Sequence, residues 1–406
     1  MTVLTPPAPV TERNGSIRPG AGFWLIAAVF LVSLAFSTVP TPLYPLYQRQ
    51  DGFTSFTVTI VFAVYAVGVI TSLLLAGHVS DWVGRRRVLL PAIGIEMVAA
   101  VLFLTWPELP GLILARFLTG LGVGMITATA TAYLLELHTA HRPGAGRARF
   151  EAVSAAANLG GLGTGTLVAG ALAQFAPAPL RTPYVVFLIL LALAAAAVVS
   201  VPETVVAPAV RPRYRPQRIR VAAGDRVGYL VAAAASFTAF AVFGLFTSLA
   251  PGFVAGSLHH PSRLLAGAIT FLVFAAGAAM QAAPGRRRFS TGLLAEAAGL
   301  IVVAAGVHAT SLWLFLIGGA LAGAGAGIMF KSAVGTVAGM AAPHQRGETL
   351  AGLFLIAYLG LVGPVLGLGI ATRYVPATTA MLWFTGLLLA LLAVIALLDR
   401  KRQSSR

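Results

Sequence analysis

The sequence predicts an all-α membrane protein with twelve transmembrane helices arranged as two pseudo-symmetric six-helix bundles. Three observations lead there. Hydrophobic residues make up 58% of the 406 and charged residues only 10%, with a mean hydropathy of +0.88, far outside the soluble globular range. Apolar runs of about 20 residues succeed one another with short connections, whereas a membrane β-barrel would show alternating segments of about ten residues. Finally, the second half repeats landmarks of the first at an offset of about 200 residues.

In chain order, residues 1–20 are rich in Pro, Thr and Gly, carry Arg13 and Arg18, and read as a disordered tail. From Gly22 an apolar run continues for about 20 residues, too long for a signal-peptide core and without a small-residue cleavage site, so it is a retained first helix. It ends in Pro40-Thr-Pro42-Leu-Tyr44-Pro45-Leu-Tyr47. Three prolines remove backbone donors there, which fits either polar groups facing a cavity or a plain helix terminus with interfacial tyrosines.

Helices 2 and 3 flank the stretch on which the topology turns. Phe56 to Ala76 holds no charge and Val88 to Trp106 holds only Glu96. Between them Gly77-His78-Val79-Ser80-Asp81-Trp82-Val83-Gly84-Arg85-Arg86-Arg87 forms a tight loop, held on one side of the membrane by its arginines. Helix 4, about 112–137, contains Arg116 and then Gly120, Gly122 and Gly124; glycines at i and i+4 admit a close neighbour. Helix 5 follows a basic loop (Arg142, Arg147, Arg149) and includes Asn158-Leu-Gly160-Gly161-Leu-Gly163, small residues suited to a flexible, tightly packed span. Helix 6 closes at Pro202-Glu203-Thr204.

Residues 204–227 switch to Pro and Arg and form a linker between a first bundle at 21–203 and a second at 228–398. Helices 7 to 12 are expected near 228–250, 264–283, 290–308, 312–338, 349–370 and 379–398, before a basic tail at 399–406. The repeat ties the halves together. Gly84 to Arg87 matches Gly285 to Arg288, Glu96 matches Glu296, and Gly120, Gly122 and Gly124 match Gly323, Gly325 and Gly327. Leu159, Gly160 and Gly163 match Leu359, Gly360 and Gly363. Ala282 stands opposite Asp81 and Gly319 opposite Arg116, so the charges are not duplicated with the glycines. Gly363-Pro364 supplies a bend that helix 5 lacks.

The net charge of +16 would suggest nucleic acid in a soluble protein. Here 22 Lys and Arg fall on one side of the predicted topology and 4 on the other (Arg49, Arg181, Arg263, Arg373), with Arg116 and Lys331 inside spans. That bias orients the chain in a plasma membrane with both termini and the arginine loops cytoplasmic, in contact with anionic lipid and not with nucleic acid. No cysteine is present, and neither a phosphate-binding G-x-x-x-x-G-K-[ST] loop nor an HExxH or other metal-ligand pattern occurs, so no cofactor, metal or enzymatic activity is expected.

The loop Gly77, Asp81, Gly84, Arg85 to Arg87 resembles the G-x-x-x-D-x-x-G-R-R loop between helices 2 and 3 of the major facilitator superfamily, with Trp82 in place of the family's basic residue. Arg116 to Gly120 is similar to the family's fourth-helix R-x-x-x-G, and Pro202-Glu203-Thr204 to its usual exit from the first half. Helix 5 departs from the family's antiporter signature by lacking a Gly-Pro pair. The resemblance implies a transporter of the drug or metabolite efflux-like branch. Helices 1, 4, 7 and 10 would line a central cavity, with 3, 6, 9 and 12 as scaffold, and the halves would rock about a central site. Proton-coupled export of a small hydrophobic or amphiphilic compound by a monomer is expected; import of a small solute is the alternative.

Site residues follow. Gly77, Asp81, Gly84, Arg85, Arg86 and Arg87, with Glu136 and Arg147, are expected to form a gating loop. Arg116 and Lys331 are candidates for substrate or coupling contacts, each with snorkelling to the membrane surface as its alternative. Glu96 and Glu296, on scaffold helices, are expected to pair with the arginine loops in preference to carrying protons. Phe237 and Phe240, with Phe243 and Phe246, form a stripe that either packs or faces the cavity. Gly120, Gly124, Gly363 and Pro364 are expected to serve helix packing.

Overall fold

In lipid every backbone N–H and C=O must find its partner within the segment, so each apolar run becomes a helix. The computed structural model describes residues 17–205, 214–217, 225–283, 285, 288–341 and 346–404. Most of the expected N-terminal tail and linker, and Arg286 and Arg287 of the second basic loop, lie outside these.

The first half contains α1 (Pro19–Ser37), α2 (Ser55–Ala76), α3 (Arg85–Thr105), α4 (Leu109–His141), α5 and α6 (Thr182–Ser200). The second contains α7 (Arg226–Ser248), α8 (Arg263–Ala282), α9 (Phe289–His308), α10 (Leu312–Met340), α11 (Arg346–Ala371) and α12 (Ala377–Ser404). Among the described residues, 11 helices are long and apolar enough to cross a membrane. The remaining span is α5. It runs through Ala148–Ala155, a π-helical segment Ala156–Gly160 and Gly161–Phe175, so its wide turn divides a span of ordinary total length. That turn falls on the Asn158-Leu-Gly160-Gly161 stretch, where small side chains offer little resistance to rewinding.

The two bundles share one packing device. On α4, an added Cβ at Gly120 would stand 2.0 Å from the Tyr65 carbonyl of α2, and one at Gly124 would stand 2.8 Å from the Val69 carbonyl. Gly122, on another face, lies against Glu96 of α3. On α10, Gly323 and Gly327 lie against the Val273 and Gly277 carbonyls of α8, and Gly325 against the backbone of Glu296 on α9. The glycine triplet therefore seats two neighbours at once in each half, which explains why it is duplicated where the charges are not.

The halves meet on the face opposite the basic loops as well as along α5 and α8. Gly369 of α11 packs on Thr59 of α2, and Arg373 lies over the Phe56 ring at 4.8 Å. Between α5 and α8, Gly170 meets Gly267, Thr166 donates to the Gly267 carbonyl at 3.0 Å, and Arg263 donates to the Ala173 carbonyl at 2.7 Å. On the basic-loop face the described linker residues 214–217 lie on the first half: the Gln217 N–H donates to the Leu74 carbonyl at 2.7 Å and the Tyr214 hydroxyl to the Leu75 carbonyl at 3.0 Å.

Two expectations are corrected. Residues 399–404 continue α12 instead of forming a tail, because Arg402 pairs with Asp225 at 2.8 Å and anchors the last turn beside α7. Gly363 has nothing within 4 Å of an added Cβ and is exposed, so it is not a packing glycine; Pro364 lies inside an α11 that runs on without a break. The proline-rich end of α1 turns inward. Pro40 to Tyr44 are buried, and the Tyr47 hydroxyl lies 3.3 Å from that of Tyr184.

Candidate functional site: a basic-loop cluster and an aromatic centre

Between α2 and α3 the chain passes through one short turn of helix, Ser80–Val83, and reverses at Gly84, whose φ of +114° favours glycine. A side chain there would also strike Glu203, the residue that explains the turn. Its two carboxylate oxygens accept the backbone N–H groups of Arg85 (2.9 Å) and Arg86 (3.0 Å), so an anion sits on the free N-terminus of α3. The Tyr133 hydroxyl holds the neighbouring Pro202 carbonyl at 2.5 Å.

The Arg85 side chain is buried and spreads over three partners. It donates to Asp81 (2.6 Å), Ser80 (2.6 Å) and Glu136 (2.6 Å from Nη2, with longer contacts from Nε). Thr204 donates to the other oxygen of Glu136 at 2.5 Å. The loop is thus fastened to α4 and to the end of α6 through one guanidinium. Removing one partner of such a pair costs about 3–5 kcal/mol when it is fully buried. Asp81, whose side chain is 62% exposed, contributes far less than Glu136 at 33%.

Of the expected gating residues, the structure joins Asp81, Gly84, Arg85 and Glu136. Arg87 is exposed, and Arg147 is exposed at the start of α5, outside the cluster; Glu136 is paired with Arg85 without it. Arg149 instead lies over the Phe23 and Trp24 rings. In the second half Gly285, the repeat partner of Gly84, also has a positive φ, +88°.

Arg116 is 2% exposed and donates to the Ser37 carbonyl, the last of α1, at 2.6 Å. Its guanidinium lies 4.5 Å over the Tyr65 ring of α2. A cation at a helix C-terminus and on an aromatic face is favourably placed. Among the described residues no carboxylate pairs with it. A buried guanidinium still needs its charge compensated, and here helix-end carbonyl dipoles and a ring do so. Lys331 sits elsewhere: its ammonium donates to the carbonyls of Gln281 (2.6 Å) and Ala283 (3.3 Å), capping the end of α8.

The α7 stripe divides. Phe243 stacks on Phe274 at 4.7 Å and Phe246 meets Phe315 at 5.4 Å, both inside the second bundle. Phe240 is half-buried and faces Phe330 of α10 (4.9 Å) and Tyr358 of α11 (5.5 Å), with Phe354 beyond at 5.9 Å from Phe330. Phe237 contributes its backbone to the seat of Gly360. The sequence signals periodicity on α7, but only packing separates a core aromatic from one in the central cluster.

Glu96 and Glu296 are both fully buried, and none of their carboxyl oxygens has a hydrogen-bond partner. The expected pairing with the arginine loops does not occur. Glu96 is the twelfth residue of a 21-residue helix, beyond an arginine's reach from the loop, and the Arg85 guanidinium is already taken by Glu136 and Asp81.

Two sets of six helices, all but one of them long and apolar enough to cross a membrane among the described residues, with a loop charge cluster on one face, define a multi-pass membrane protein. The chain belongs to the Major Facilitator Superfamily, whose family profile matches residues 25–287. Over 102 residues it is 32% identical to the bacillibactin exporter of Bacillus subtilis, a stretch covering 24% of this chain and 25% of that protein. Over 76 residues it is 41% identical to multidrug resistance protein MdtL of Escherichia coli, covering 18% and 19%. The chain thus spans a quarter or less of the relatives it matches. Two crystal structures share the fold. The human organic anion transporter MFSD10 (TETRAN) has a TM-score of 0.66 at 17% identity, covering 93% of this chain and all of that one. The nucleoside transporter NupG has 0.69 at 11%, covering 93% and 99%.

Proposed function

We propose that this chain is a proton-coupled exporter of small hydrophobic or amphiphilic compounds, moving them by alternating access across a plasma membrane with both termini in the cytosol. The observation that carries the reading is the cluster of Phe240, Phe330, Phe354 and Tyr358, drawn from three helices of the second half. Such a wall holds a flat ligand by contact area, with few directed hydrogen bonds. Arg116, a buried cation on the Tyr65 ring without a carboxylate, favours neutral or anionic compounds over lipophilic cations. The partial matches to exporters support outward transport, and the 22-to-4 charge bias supports the orientation.

Proteoliposomes with an imposed pH gradient test it. A panel of neutral, anionic and cationic aromatic compounds is expected to show counterflow for the first two classes and accumulation against the gradient's proton flow. Phe240→Ala is expected to weaken counterflow at least fivefold. Accumulation in the same direction as the protons would replace export by import, and counterflow confined to small polar solutes would end the aromatic reading.

A further inference from the structure

We infer that Glu96 and Glu296 are a duplicated pair of proton-binding sites, one in each half, through which the transport cycle is coupled to protons; the inference rests on the proton-coupled reading above. Each carboxyl is 0% exposed and each leaves both oxygens without a hydrogen-bond partner. Each residue packs on the middle glycine of its half's triplet: Gly122 lies against the Glu96 side chain, where an added Cβ would come within 2.7 Å of its Cγ, and Gly325, its equivalent in the repeat, lies against the Glu296 backbone. A hydroxyl from the first helix of each bundle stands nearby, Ser33 on α1 and Thr238 on α7.

The groups facing them are otherwise neutral. Around Glu96, α1 presents Ser33, whose hydroxyl also lacks a partner, α2 presents Tyr65, and α4 presents Gly122. Arg116 of α4 is turned away to the Ser37 carbonyl, and Tyr184 of α6 is stacked on Phe103. Around Glu296, α10 presents Gly325 and its Lys331 is engaged at the end of α8; Thr238 of α7 bonds the Ala235 carbonyl and Thr385 of α12 the Met381 carbonyl. A fully buried carboxylate with no cation against it and at most one hydroxyl beside it is costly at this depth, so we read each side chain as a neutral acid in this conformation. The proton enters and leaves only when movement of the first helix of the bundle or of the glycine-bearing helix admits water. The halves lost the symmetry of Asp81 and Arg116 but kept this one.

The test is an infrared titration of the full-length protein in lipid, following the carbonyl stretch of protonated carboxylic acid and its shift in deuterated water. Wild-type protein is expected to show two slowly exchanging acid signals, with Glu96→Gln and Glu296→Gln each deleting one. Glutamine keeps the shape of the protonated acid, so both variants are expected to fold; Glu96→Asp or Glu296→Asp, each keeping an acid with a shifted signal, replaces whichever does not. In proteoliposomes the ratio of pH-driven accumulation to counterflow is then expected to fall at least tenfold in the double variant, using the panel compound with the strongest counterflow. Unchanged infrared signals in both Gln variants, or a wild-type ratio in the double variant, would overturn the inference. Wild-type counterflow indifferent to the pH gradient would instead remove the proton-coupled reading, while the infrared titration still decides whether the carboxyls bind protons.

Discussion

The glycine seats make a quantitative prediction that separates residues of the same type. A methyl group at Gly120 would lie 2.0 Å from the Tyr65 carbonyl oxygen and 3.0 Å from the Gly68 Cα, while ordinary contact begins near 3.4 Å. Both obstacles are backbone, so no side chain can swing aside; α2 and α4 must part by about 1 Å along the contact. Overpacking of this kind costs about 1–3 kcal/mol, and the upper half of that range applies because the obstacle cannot relax. The intrinsic gain of alanine over glycine in a helix, about 1 kcal/mol, offsets part of it. Gly120→Ala should therefore lose about 1–2 kcal/mol net, a factor of about 5–30 in the folded ratio. Gly363→Ala meets nothing within 4 Å and should be neutral or stabilising. Thermal unfolding of the purified proteins, read as loss of the monodisperse chromatographic peak with temperature, gives the comparison. A Gly120→Ala protein melting at or above wild type, or a Gly363→Ala protein melting below it, would refute the argument that backbone contact at α2 and α4 is what the glycine serves.

Other consequences can be checked together. Asp81→Ala should leave the protein in the membrane with reduced transport, since the exposed half of the Arg85 pairing is worth at most about 1 kcal/mol; wild-type transport by this variant would make the loop merely topological. Glu136→Gln should be the more damaging of the two by about 1–2 kcal/mol in unfolding experiments, because the Arg85 guanidinium is left buried with only Asp81 to balance it. Glu203→Ala should weaken transport and raise proteolytic cleavage between Gly77 and Arg87, having removed the acceptor for two N–H groups of α3. Arg116→Lys should fail to restore the activity lost in Arg116→Ala, because an ammonium cannot lie flat on the Tyr65 ring while reaching the Ser37 carbonyl; parity of Lys with Arg in counterflow would show that charge alone suffices.

The legible parts of the chain were those written in spacing. Apolar run length placed the spans, and the glycine triplets at a constant offset disclosed both the repeat and the seats they form. What was not legible depends on depth and facing. Glu96 and Glu296 look like partners for the neighbouring arginines when only distance along the chain is counted, yet Glu96 lies too far into its helix for Arg85 to reach, and Arg85 is already satisfied. Glu203 was legible as part of the Pro202-Glu203-Thr204 exit from the first half, but nothing in the sequence showed that it sets the turn at Gly84, about 120 residues earlier. Lys331 reads as an intramembrane cation because its acceptors, the Gln281 and Ala283 carbonyls at the end of α8, lie about 50 residues away. Gly363 matches Gly163 by position, but Gly163 meets Phe271 and Phe274 of α8 while Gly363 meets nothing.

The wide turn in α5 bears on how this span tolerates change in length. A π segment holds one residue more than the α-helix it interrupts, and one residue corresponds to about 100° of rotation. Ala148–Ala155 and Gly161–Phe175 therefore present faces that an unbroken helix of the same length would throw out of phase. Removing a single residue between Ala156 and Gly160 closes the turn into regular helix and leaves both flanks aimed where they already are, with Thr166 and Gly170 still against α8. In that segment a deletion costs a bulge and spares an interface, whereas one residue taken from the middle of α4 would swing every glycine seat beyond it away from its neighbour.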